Sequence, residues 1–124
     1  MDAELVIKEL QEKYPGKRIV CLPESNPSEI ICEFDPADEH PEWSMALAVI
    51  DKSEPHFHRK MTEVYNVVRG ELKLYVGHDE YVMYEGQSWQ ILPGQVHWAE
   101  GNGTWVEVYA SPAWCQEDHI LAEL

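Results

Sequence analysis

Thr62-Glu63-Val64-Tyr65-Asn66-Val67-Val68-Arg69-Gly70-Glu71-Leu72-Lys73-Leu74-Tyr75-Val76 is the stretch that decides the fold class. It is dense in β-branched and aromatic residues and is broken once, by the turn signal Arg69-Gly70. Its second half, Glu71–Val76, alternates with period two, the pattern of a half-buried strand. Thr62–Val68 reads as the strand before it.

Working outward, the text stays strand-like. Upstream lies the apolar run Trp43–Ile50. Downstream come Glu80–Tyr84, Gln87–Leu92 and Thr104–Tyr109, set apart by Gly77-His78-Asp79, Glu85-Gly86, Pro93-Gly94 and Gly101-Asn102-Gly103. Short strands at spacings of about 8–12 residues predict a sandwich or small barrel. Only the N-terminus reads as helix: Asp2 can cap, Leu5, Val6 and Leu10 form a stripe, and Tyr14-Pro15-Gly16 stops it. Residues 21–28 and 35–42 read as loops around a strand, Glu29–Phe34. Residues 112–124 read as an extended segment or short turn.

One domain is expected over the 124 residues, with an N-terminal helix and arm (1–42), a barrel core (43–110) and a tail (111–124). Nine Lys+Arg against 23 Asp+Glu give a net charge of −14, which repels phosphate backbones and anionic lipid heads. Nucleic acid and membrane are therefore not expected partners; a small molecule is. The acidic start Met1-Asp2-Ala3-Glu4 and three cysteines without CxxC spacing, Cys21, Cys32 and Cys115, fit a reducing cytoplasm. No apolar run approaches the roughly 20 residues of a membrane-spanning helix.

His56-Phe57-His58 places two imidazoles at i and i+2, on one face of a strand. Glu63 follows five residues after His58, and His97 comes 34 residues after Glu63. Together they offer the nitrogen and oxygen donors that suit one divalent transition metal: Zn, Fe, Mn, Ni, Co or Cu. A single strand His is more often a surface or core residue than a ligand, and His40, His78 and His119 are read as surface.

His56–Glu63, then six residues and Gly70, resembles the first motif of the cupin family, HxH, four residues, E, six residues, G. Gly86 and then Leu92-Pro93-Gly94-Gln95-Val96-His97 resemble the second, a glycine followed by PxGxxH. Ile50, Leu92 and Gly101 stand where the family carries glycine, proline and asparagine. The resemblance spans about residues 43–110. It implies an all-β fold, a double-stranded β-helix or jelly-roll barrel, with His56, His58, Glu63 and His97 around one metal ion.

Such a ligand set leaves one or two positions for substrate. The expected function is a metal-dependent isomerase- or epimerase-like enzyme moving a proton on a hydroxylated carbonyl compound, a sugar or sugar acid. The alternatives are a non-haem iron dioxygenase and a non-catalytic ligand-binding module. Alternation places Tyr65 and Val67 on the face of Glu63. It leaves open whether Trp89 and Ile91 or Ser88 and Gln90 face inward, and likewise Trp105, Glu107 and Tyr109 or Val106 and Val108. Tyr65 is the candidate substrate-facing hydroxyl and Glu107 the candidate second acid/base group. Trp43, Trp89, Trp98, Trp105 and Trp114 divide between core, interface and a sugar-stacking wall. Arg59 and Lys60, ahead of Arg69 and Lys73, are candidates for a basic mouth. A homodimer is expected, with the segment up to Phe34 reaching across to a neighbour.

Overall fold

Asp2 accepts from the Leu5 N–H at 3.2 Å and so caps α1, Ala3–Lys13, satisfying an amide that the first turn leaves without a partner. The computed structural model describes residues 1–123; Leu124, the last residue of the expected tail, lies outside the described residues. The apolar stripe of α1 buries Leu10 fully, with Val6 and Ile7 beside it, against Ile30, Cys32, Leu47, Val49 and Trp105. Burying a side chain of that size stabilises by about 1.5–3 kcal/mol. Arg69 stacks over Trp105 at 4.2 Å and bonds Glu9 of α1, fixing the helix on the outer face of the sheet.

Ten strands follow among the described residues: β1 Arg18–Leu22, β2 Glu29–Asp35, β3 Ser44–Lys52, β4 His56–Phe57, β5 Thr62–Arg69, β6 Leu72–Val76, β7 Asp79–Met83, β8 Ser88–Ile91, β9 His97–Ser111 and β10 Ile120–Leu121. All pairings are antiparallel. One layer runs β1-β2-β3-β9-β5-β8, the other β7-β6-β9-β4-β10. The expected jelly-roll barrel is therefore present. Its inner face carries Ala48, Ile50, Tyr65, Val67, Leu72, Leu74, Val76, Met83, Ile91, Ala99 and Val106 as one buried cluster.

Strand β9 belongs to both layers. Its first residues, His97–Gly101, pair with β6, and Thr104–Ser111 pair with β3 and β5. Gly101-Asn102-Gly103, expected to separate strands, instead forms an irregularity within one long strand, where the register against β3 slips between Ile50 and Lys52. Gly101 is required there by space: a Cβ would lie 2.9 Å from the Ile50 carbonyl oxygen and closer still to Thr104 Oγ1.

Two further points concern the arm and the tail. β1 begins at Arg18 and takes in Cys21 and Leu22, expected to be loop, because Leu22 pairs with Glu29. The segment expected to reach a neighbouring subunit pairs with β3 of its own chain, Ile30 opposite Val49. The tail forms a short 3-10 turn, Gln116–Asp118, and β10, which pairs with β4. No helix among the described residues is long and apolar enough to cross a membrane.

Candidate metal centre

His56 lies in β4, directly opposite His97 at the start of β9. Glu63 sits near the start of β5, and His58 lies in the connection between β4 and β5. The motif spacing therefore brings donors from three strand segments to one point of the barrel interior. One ligand atom from each of the four lies within 4.8 Å of every other. All four residues are buried, His97 completely.

Each imidazole is oriented by a backbone carbonyl. His56 Nδ1 contacts Glu54 O at 2.8 Å, His58 Nδ1 contacts Asp118 O at 2.7 Å, and His97 Nδ1 contacts Gln95 O at 2.9 Å. A carbonyl only accepts, so each Nδ1 carries the hydrogen and donates. In the neutral ring that leaves the Nε2 lone pair free. His97 Nε2 then lies 3.1 Å from Glu63 Oε1, and His58 Nε2 lies 2.9 Å from the same oxygen. The His58 approach is too poorly aligned to count as a hydrogen bond, leaving a fully buried nitrogen without a partner. Such an orphan is costly unless a ligand completes it. Fixed tautomers, converging lone pairs and one of them buried without a partner fit a divalent metal ion, and the carbonyl partners are the outer support that metal-binding histidines use.

The electrostatics favour a positive charge at this point. Burial pulls the His56 imidazole down to about 3, and a charge on His97 would repel it further, so the ring is neutral at pH 7. Burial also works against a charge on His58, but the Glu63 carboxylate outweighs it and raises that imidazole. Burial works against the Glu63 carboxylate too, but positive charge on His58 and His97 outweighs it and holds the carboxyl well below the usual range. Glu63 is thus an anion facing nitrogens, a place for a cation.

Tyr65 faces the interior beside Glu63, 5% exposed, its ring edge-on to His97 at 6.0 Å. Burial raises its hydroxyl well above its ordinary value, reinforced by the charges of Glu63 and Glu29, so it remains a donor. Trp89 and Ile91 face inward with it, and Tyr81 stacks on Trp89 at 3.9 Å. Val106 and Val108 also face inward. Glu107 does not. It pairs with Leu47 and Asn66 and shares their outer face, so the expectation of an acid/base role for Glu107 is corrected by strand parity.

Three groups outside the expected site reach the centre. Glu29 pairs with Ile50 and shares its inward parity; burial first, then the charges of Glu63 and Glu54, push its carboxyl up to about 7. His119, expected on the surface, is half-buried and stacks on His56 with ring centroids 4.4 Å apart. Asp118 is buried and binds the connection between the ligands. In β2, apolar Ile30 and Ile31 flank no clear alternation, so Glu29 carried no signal of its face. His119 and Asp118 depend on where the tail packs.

Of the four candidates for a basic mouth, two are paired elsewhere. Arg59 and Lys60 have exposed side chains, Arg69 bonds Glu9, and Lys73 pairs with Glu80 at 3.2 Å. Trp105 is buried under α1, Trp98 stacks on Tyr75, and Trp43 stacks on Tyr109. A second grouping joins Asp35, at the end of β2, with Glu39 and His40 in the loop before β3. Both His40 nitrogens are already engaged there, by Asp35 at 2.7 Å and by the Trp43 carbonyl.

No curated protein matches the sequence. Among solved structures, a Streptomyces Pac13 variant with uridine superposes at TM-score 0.76 and 12% identity, covering 90% of this chain and 88% of that one; Pac13 is described as a nucleoside dehydratase. KdgF from a Halomonas species superposes at 0.65 with 16% identity, over 73% of this chain and 86% of its own. An RmlC-like cupin from Shewanella frigidimarina superposes at 0.66 with 22% identity, over 79% and 86%. At these identities the likeness shows a shared fold. The cupin domain model matches residues 43–109, more than half of the sequence and all four clustered residues, and the chain belongs to the cupin family.

Proposed function

We propose that the chain is a metal-dependent enzyme that moves a proton on a hydroxylated carbonyl compound, a sugar or sugar acid. One observation carries this reading: three oriented imidazoles and a carboxylate converge while two further interior groups, Tyr65 and Glu29, stay outside the ligand set. A divalent ion held by His56, His58, Glu63 and His97 would polarise a carbonyl or hydroxyl oxygen as a Lewis acid. The Tyr65 hydroxyl, kept protonated, donates a hydrogen bond to a substrate oxygen. Glu29, poised near neutrality, accepts a proton from carbon and returns it, since a carboxyl titrating near the working pH is suited to both directions. The stacked Tyr81–Trp89 pair offers a planar apolar wall for a ring. The uridine bound by the Pac13 variant, a ligand with a hydroxylated ring, supports a small hydroxylated ligand here.

The test is elemental analysis of the purified protein beside His58→Ala, followed by NMR of sugars and sugar acids in D2O. The reading expects one equivalent of metal, lost in His58→Ala, and metal-dependent deuterium exchange next to a carbonyl that Glu29→Gln slows. Bound metal with ligand-induced shifts but no exchange would favour the non-catalytic binding module. Oxygen uptake by an iron-loaded sample would favour the dioxygenase.

A further inference from the structure

We infer that Asp118 is a positioning residue that sets the metal affinity of the centre, making the tail from Pro112 to Leu121 part of the site. The inference rests on the metal reading above and goes beyond its four ligands.

The connection between His58 and Glu63 is only Arg59-Lys60-Met61-Thr62, and it carries no regular structure before β5. Such a loop has backbone amides to satisfy and no ladder to satisfy them. One carboxylate takes three in succession. Asp118 Oδ1 accepts from Arg59 N at 2.9 Å and Lys60 N at 3.1 Å, and Oδ2 accepts from Lys60 N at 3.2 Å and Met61 N at 3.0 Å. Successive N–H groups converging on one anion form charge-assisted bonds, stronger than neutral ones. Burial opposes the charge, but these amides hold the Asp118 carboxyl below its ordinary value. The same residue's carbonyl takes the Nδ1–H of His58 at 2.7 Å, fixing the direction of the orphaned Nε2. Asp118 therefore grips a metal ligand and the loop leading to the next one, from 57–60 residues away in sequence. β10 pairing with β4, Leu121 opposite His56, ties the segment to a second ligand strand.

Asp118→Ala keeps the main-chain carbonyl that orients His58 but releases the three amides that hold that carbonyl in place, so the partner is lost by displacement, and loss of an outer partner of a metal-bound histidine typically weakens binding 10- to 100-fold. The test is Co(II) titration of the metal-stripped full chain, read by visible absorption, for wild type, Asp118→Ala and Asp118→Asn, with the far-UV spectrum of each metal-free protein. The expected result is native secondary structure, a dissociation constant raised roughly 10- to 100-fold in Asp118→Ala, and a smaller rise in Asp118→Asn, which retains one acceptor. Hydrogen exchange on wild type needs no variant to fold: cobalt should slow the amides of Arg59, Lys60 and Met61 and of residues 116–121 at least tenfold. Unchanged affinity in a folded Asp118→Ala, or unchanged exchange at these amides with cobalt bound, overturns the inference and leaves the metal centre standing. A wild type that takes up no cobalt overturns the metal reading and this inference with it.

Discussion

Replacing Glu29 by glutamine should raise the stability of the metal-stripped protein at alkaline pH and leave it nearly unchanged at acid pH. The Glu29 carboxyl titrates at about 7 in the fold against an ordinary 4.5, because burial and then the charges of Glu63 and Glu54 disfavour its ionised form. At 1.36 kcal/mol for each pH unit, that shift is worth about 3 kcal/mol. The sign follows from which state ionises first. Below pH 4.5 the group is protonated whether the chain is folded or not, and it costs nothing. Between 4.5 and 7 the unfolded chain releases its proton while the fold retains it, so stability falls as pH rises. Above 7 the cost is complete. Glutamine has nearly the same shape and never ionises, so the variant escapes the cost. The advantage of Glu29→Gln should be under about 1 kcal/mol at pH 5 and approach about 3 kcal/mol at pH 8. Urea unfolding of both proteins in a chelating buffer, at each pH from 5 to 8, measures it directly. A difference that stays flat across that range, or that favours wild type at pH 8, would refute the inward placement of Glu29. A metal ion beside Glu63 would offset the charge that disfavours the Glu29 carboxylate, so zinc should shrink the pH-dependent difference.

Three other outcomes follow from the same geometry. Zinc at a hundred times its dissociation constant should stabilise wild type by about 2.7 kcal/mol and His58→Ala by much less, read by thermal unfolding; equal stabilisation would place the zinc elsewhere. Gly101→Ala should cost about 1–3 kcal/mol in urea unfolding, because its Cβ meets the Ile50 backbone as well as Thr104; a neutral result would mean that the bend in β9 relaxes freely. Tyr65→Phe should retain one equivalent of metal while losing most of whatever proton exchange wild type shows, and loss of metal instead would make Tyr65 a support of the centre.

Much of this was legible in the sequence because period-two alternation and turn residues are local signals. Thr62–Val76 alone predicts two strands, and two ordered motifs name four side chains that the fold brings together. What escaped was set by tertiary pairing. Cys21 and Leu22 look like the start of a Pro- and Ser-rich loop until β2 supplies a partner. Glu107 sits in a strand whose two faces are both apolar, so only its register against Leu47 and Asn66 assigns its side. His119 and Asp118 lie in a tail with no period at all, and their place at the centre comes from contacts some 60 residues away.

The bend in β9 has a mechanical consequence. His97 opens the strand, and Ala110, thirteen residues on, pairs with Glu63, yet His97 and Glu63 touch. A straight strand of that length would span about 43 Å. The strand is a drawn bow, and a shared ion would be its string. Straightening at Gly101-Asn102-Gly103 would pull one ligand from the others while leaving most of each ladder intact. Strain in that bend should therefore register as weakened metal binding before it registers as unfolding, so the curvature of a backbone some distance from the ligands becomes a dial for their affinity.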